Sequence, residues 1–133
     1  MAFQFSTTVR TNAVGTIETT VGSAPTLKIY SGSTPSSCAA AATGTELASG
    51  TLPSDWLSAA SGGSVNIANS PWTLTGVAAG NGGYFRILSG STCHIQGSVS
   101  ATGGGGDMTL DNISIASGQT INVNSFTMTA GGA

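Results

Sequence analysis

A chain of 133 residues is long enough for one domain with a real core and short for two. Apolar residues make up 39%, charged residues only 6%, and the net charge is −2. That balance argues against a disordered chain, which combines high charge with few apolar residues, and against nucleic acid as a main partner, which takes clustered Lys or Arg.

The N-terminus, Met1-Ala2-Phe3-Gln4-Phe5, lacks the cationic start and apolar stretch of a secretory signal, which predicts synthesis in a cytoplasm without export. Phe3 and Phe5 precede any regular element, so residues 1–7 read as an arm and 8–133 as a single β-rich domain. From about Thr8 to Val21, Val9, Ala13, Val14, Ile17 and Val21 recur at helical spacing. The Ser6-Thr7-Thr8 cluster offers an N-cap and Gly22 a stop, while Gly15 and four threonines weaken the helix, so docking of its apolar face must hold it. After Thr26 the period changes to two. Leu27 and Ile29 alternate with Lys28 and Tyr30 in a strand that ends at Ser31-Gly32.

Residues 33–44 form a loop of small residues containing Pro35, Cys38 and an alanine run. A second strand is expected over Glu46–Leu52, closed by Pro53, after which Trp56 and Leu57 plug the edge of the core. Further strands are expected over 65–68, 72–77, 84–88, 93–101, 108–115 and 120–129, with Gly, Asn, Ser or Pro turns between them. Ser89-Gly90-Ser91 predicts a hairpin. In the last strand Ile121 and Val123 share a phase that Phe126 and Met128 do not, which predicts a bulge near Asn124-Ser125. About eight strands at such spacing indicate an antiparallel β-sandwich or barrel with one N-terminal helix packed against it, its second half a meander of hairpins. There is no repeat with a convincing period, and no apolar run reaches the roughly 18–20 residues of a membrane span.

The chemistry-bearing residues are few. His94 is the only histidine, and its neighbour Cys93 points to the other side of a regular strand, so the two make a poor catalytic pair. Cys38 and Cys93 are too few for a structural zinc site; a disulfide closing a loop of about 54 residues and two buried thiols both remain open. Asp107 and Asp111 do not match a calcium-loop spacing and read as turn residues. The Gly103–Gly106 run lacks the Lys-Ser/Thr of a phosphate loop, and no Gly-x-Ser-x-Gly elbow occurs. No metal or cofactor is predicted, and an enzyme is the least supported class.

Several segments look familiar together. Thr26-Leu27-Lys28-Ile29-Tyr30-Ser31-Gly32-Ser33 with Pro35, the Tyr84-Phe85-Arg86-Ile87 strand, Cys93 to Val99, Gly106 to Asn112 and the Arg10-Thr11-Asn12-Ala13 helix start resemble a group of small virion proteins of tailed bacteriophages. The resemblance runs from about Val9 to Phe126. It implies a structural component of the particle, most simply a capsid decoration (cement) protein on the major capsid protein, homo-oligomeric and located on the virion after synthesis in the host cytoplasm, with neither nucleic acid nor membrane as partner. The contact residues expected on that reading are Phe3 and Phe5 of the arm and the Trp56-Leu57 loop, although the two phenylalanines could equally cap the domain's own core. The alternative is a tail or tail-fibre component that binds a receptor or carbohydrate, with Trp72 and Tyr84 as a sugar platform.

Overall fold

Short β-branched runs separated by glycine turns favour strands that pair with their chain neighbours, and the apolar residues at every second position then fall on one side. In this protein that side is the inside of a barrel. The structure, a computed structural model, describes residues 3–131, so Met1, Ala2 and the last two residues of the predicted arm and domain lie outside it. The helical segment comes first, as α1 (Thr7–Gly15) and α2 (Ile17–Val21). The strands follow: β1 (Thr26–Tyr30), β2 (Glu46–Thr51), β3 (Ser64–Asn66), β4 (Trp72–Gly76), β5 (Gly80–Asn81), β6 (Tyr84–Ser89), β7 (Thr92–Ala101), β8 (Met108–Leu110), β9 (Ser114–Ile115) and β10 (Thr120–Thr129).

The sheet order is β3-β10-β4-β2-β1-β6-β7-β8, and a further β10–β8 pairing closes seven of these strands into a barrel, with β3 as the extra strand. β10 makes the closure. Its residues Thr120–Val123 pair with β4, Val123–Phe126 with β8, and Thr127–Thr129 with β3. The register shifts between Val123 and Ser125, at the predicted bulge, and the extra residue Asn124 turns outward to donate its amide to Thr102 Oγ1 at 2.7 Å. Ile121, Val123 and Phe126 can therefore all be buried despite their change of phase. They meet Leu27, Ile29, Leu47, Leu74, Ile87 and Leu110 in one apolar cluster.

The expected meander of hairpins holds for β6 and β7 but not beyond. β7 and β8 run parallel, Val99 opposite Met108 and Ala101 opposite Leu110, so residues 102–107 must double straight back. Glycines make this possible. A Cβ on Gly106 would stand 2.7 Å from the Ser100 nitrogen, and one on Gly104 would stand 2.8 Å from the Ser100 side chain. Residues 108–115 also divide into two short strands at Asp111-Asn112 and pair separately, β8 in the barrel and β9 with β5.

The helical segment begins at Ser6, whose Oγ accepts the Val9 N–H at 3.2 Å, and stops at Gly22, whose positive φ of 102° suits glycine. It is interrupted at Thr16. Thr16 Oγ1 donates to the Ala13 carbonyl and Thr20 Oγ1 to the Thr16 carbonyl, each at 2.8 Å, so the threonines bond the helix's own backbone. Val14 and Val21 are buried and Ile17 packs on the core, while Val9 and Ala13, expected on the same face, are exposed. Both parts of the segment reach the barrel, the first through Val14 and through Thr11 Oγ1, which accepts the Gly63 N–H at 2.9 Å, and the second through Ile17 and Val21.

Two glycine substitutions separate backbone freedom from steric need. At Gly15 a Cβ would meet only Ala60 Cβ at 3.6 Å, an ordinary contact, so Gly15→Ala should stabilise the fold by about 0.5–1 kcal/mol. At Gly76 a Cβ would run into the Ala116 carbonyl oxygen, so Gly76→Ala should cost about 1–3 kcal/mol. Urea denaturation of both variants checks the opposite signs.

Candidate functional site

The residues expected to touch a partner divide sharply by burial. Phe3 and Phe5 stand out from the body, 58% and 44% exposed, with their rings edge to face at 5.3 Å. Trp56 and Leu57 do not stand out. Trp56 is fully buried, its indole N–H donating to the Gly22 carbonyl at 3.0 Å, and the Leu57 N–H donates to Glu18 Oε2 at 2.7 Å. They plug the core and hold the helical segment to the barrel, so their assignment as contact residues is corrected: Trp56 has no exposed surface and Leu57 only 4%. The same correction applies to Trp72 and Tyr84 as a sugar platform, since both are buried. Trp56, Trp72, Phe126 and Phe85 instead form a column of rings with successive centroids 6.0, 6.2 and 5.1 Å apart.

The acidic candidates are taken up by backbone. Asp107 Oδ2 accepts the Ser98 N–H at 2.9 Å and the Ser98 hydroxyl at 3.1 Å, pinning the loop that doubles back into β8. Asp111 Oδ1 accepts the Asn122 N–H at 3.1 Å and continues the β8–β10 ladder by side chain. His94 is exposed beside a groove of about 330 Å³ lined by Ile17, Val21 and Ile95. A second groove, about 360 Å³, lies between α2 and the 55–60 segment and carries Glu18 and Asp55, of which Glu18 is engaged by Leu57. Among the described residues no three of His, Cys, Asp and Glu gather as metal ligands. No helix of the described residues is long and apolar enough to cross a membrane.

Cys38 and Cys93 are joined by a disulfide, with Cα atoms 5.3 Å apart. Around it lies an arrangement that the sequence reading missed. Arg86 is only 4% exposed, and no carboxylate faces it among its hydrogen-bond partners. Its Nε donates to Gln96 Oε1 at 3.1 Å, and its Nη2 donates to the Ala40 carbonyl at 2.8 Å and the Ser37 carbonyl at 3.3 Å. Gln96 Nε2 donates to the Pro35 carbonyl at 2.9 Å. The Tyr84 hydroxyl donates to the Thr43 carbonyl at 2.6 Å and accepts the Thr43 N–H at 3.0 Å, and its ring stacks on Tyr30 at 5.0 Å. A signal for this was present in β6: Tyr84-Phe85-Arg86-Ile87-Leu88 is a near-continuous apolar run without the alternation of a half-buried strand, and all five residues are buried.

No family model, curated protein or solved structure matches this chain. The likeness to tailed-phage virion proteins therefore rests on the sequence segments alone. What the described residues offer to a partner is a pair of exposed aromatic rings on a closed body with few charges.

Lys28 Nζ and Glu46 Oε1 lie 2.9 Å apart between β1 and β2, each side chain about a third exposed. The hydrogen bond from Glu46 raises the Lys28 value above its ordinary 10.5, against a smaller lowering by burial. Burial raises the Tyr30 phenol above its ordinary 10.0, with Lys28 opposing. Both folded values exceed the unfolded ones, so the unfolded chain gives up these protons first as the medium becomes alkaline. Their contribution to stability is complete below about pH 10 and is lost as pH rises through the folded values. Unfolding midpoints measured from pH 8 to about 11.5 should fall at the alkaline end. Glu46→Gln should lower stability by at most about 1 kcal/mol near pH 8 and make the alkaline fall shallower.

Proposed function

We propose that this chain is a non-enzymatic structural protein of a tailed-phage virion, a decoration protein that sits on the major capsid protein and grips its neighbour through the N-terminal arm. The observation that carries this reading is the arm itself. Two aromatic rings, each about half exposed, lie ahead of the Ser6 cap, and neither belongs to the core cluster behind them. Fully burying such a ring from water is worth about 1.5–3 kcal/mol, so covering the exposed half of each still gives about 1.5–3 kcal/mol for the pair, a useful clasp. The body suits a lattice position. Closure of the seven strands removes their free edges and leaves only the short β3 and the two-residue β5–β9 pair outside, and a surface with few ions packs closely without desolvating charge.

On this reading the partners are the major capsid protein and further copies of the chain, nucleic acid and membrane are not partners, and the protein resides on the virion after synthesis in the host cytoplasm. The tail-fibre alternative has lost its sugar platform, because Trp72 lies in the core and Tyr84 is buried beneath the 31–45 loop. A tail position is the competing outcome of the test. Cryo-electron microscopy of the particle that carries this chain should show its density tiling the capsid; density confined to the tail would overturn the decoration role.

Removing residues 1–5 should leave cooperative thermal unfolding intact and weaken co-sedimentation with capsids by about tenfold or more, the equivalent of at least about 1.4 kcal/mol. Loss of the cooperative transition would instead assign the two rings to the fold.

A further inference from the structure

Residues 31–45 join β1 to β2 without regular structure, and none of them belongs to the core cluster. They form a strap over the outer face of β6 and β7, where Tyr84, Arg86 and Leu88 point away from the barrel interior that holds Phe85 and Ile87. The base of the strap is fixed: the Ser31 N–H donates to the Thr45 carbonyl at 3.0 Å, and the Thr45 N–H donates to Ser31 Oγ at 2.9 Å. Gly32 and Gly44 beside it have φ values of 89° and 74°, which suit the tight turns at its two ends. Between those ends the strap is held by the hydrogen bonds from Tyr84, Arg86 and Gln96 to Thr43, Ala40, Ser37 and Pro35, and by the disulfide.

These anchors are not equal. Each hydrogen bond is to a group that water replaces when the strap lifts, so its net worth is small. The Arg86 guanidinium in particular is buried against neutral carbonyls, so lifting the strap restores its hydration and breaks no ion pair. The covalent bond alone has no counterpart in water.

We propose that the strap is an oxidation-set latch: with Cys38 and Cys93 as thiols it opens from the barrel about its Ser31–Thr45 base, and formation of the Cys38–Cys93 disulfide shuts it over Tyr30, Tyr84 and Arg86. The oxidant is a small-molecule disulfide. The thiolate of one cysteine attacks a sulfur of that disulfide and forms a mixed disulfide, releasing one small thiolate. The second cysteine, as thiolate, then attacks the protein sulfur and releases the other. Two protein thiols lose two protons and two electrons, and the small disulfide leaves as two thiols. Glutathione holds cytoplasmic thiols reduced, so the latch closes only when the protein reaches an oxidising medium. This does not depend on the virion reading and holds for any route by which the chain leaves a reducing compartment.

The test uses the full chain equilibrated in reduced or in oxidised glutathione, challenged with pancreatic elastase, which cleaves after small residues such as those of the Ala39–Ala42 run. Because cleavage follows the population of the open form, the reduced chain should be cut within residues 38–43 about tenfold faster or more. Amides of β6 and β7 should keep their hydrogen-exchange protection in both states, and oxidised glutathione added to the reduced chain should restore resistance. The Cys38→Ser/Cys93→Ser double variant should be cut fast in either buffer. Equal resistance with and without the disulfide would overturn the latch, because the hydrogen bonds then suffice. So would loss of β6–β7 protection on reduction, because the bond would then hold the whole fold rather than the strap.

Discussion

β10 has to satisfy three neighbours with one run of ten residues, and the barrel exists because it can. Strand side chains alternate strictly, so a regular β10 that buried Ile121 and Val123 would turn Phe126 to solvent. The extra residue at Asn124 absorbs the mismatch. Phe126 then enters the interior, packs against Trp72 on one side and Phe85 on the other, and ties β10 to β4 and β6 across the barrel. The ring column continues to Trp56, whose indole holds the end of the helical segment. Closure, core and helix docking thus share one line of aromatic contacts that starts from a local irregularity in the last strand.

A second constraint acts on the other side of the wall. β6 is covered on both faces, inside by the apolar core and outside by the strap. The outer cover is polar: a phenol, a guanidinium and an amide meet four backbone carbonyls and one backbone N–H. A loop with few apolar side chains cannot fasten itself by burial, and here the barrel supplies most of the donors and the loop most of the acceptors, the Thr43 N–H being the reverse case. The disulfide adds a covalent fastening where hydrophobic area is lacking, the usual recourse of small domains with limited cores.

The two parts outside the barrel are therefore different in kind. The strap is bonded inward at every anchor, whereas the arm presents Phe3 and Phe5 outward. A wall of seven mutually paired strands leaves little backbone for a partner to extend, so under the proposed function association would fall to side chains and to the arm. That is why the functional reading turns on the arm, and why the buried Trp56 and Leu57 drop out of it.

The sequence by itself determined the elements whose signals are local. Period-two alternation placed β1 and the start of β10, glycine and serine placed the β6–β7 turn, Ser6 and Gly22 bounded the helix, and the phase change in β10 located its bulge. Exposure of the arm and burial of the Trp56 loop were not decided there, because aromatic residues are chemically suited to a core and to an interface alike. The parallel β7–β8 pair and the split of residues 108–115 were also hidden, since a glycine run marks a turn but not its direction. Only the tertiary structure brought Cys38 to Cys93 and laid residues 31–45 over Arg86. Those are pairings between residues far apart in the chain, and whether a side chain faces water, core or a covering loop is settled by where the rest of the chain packs.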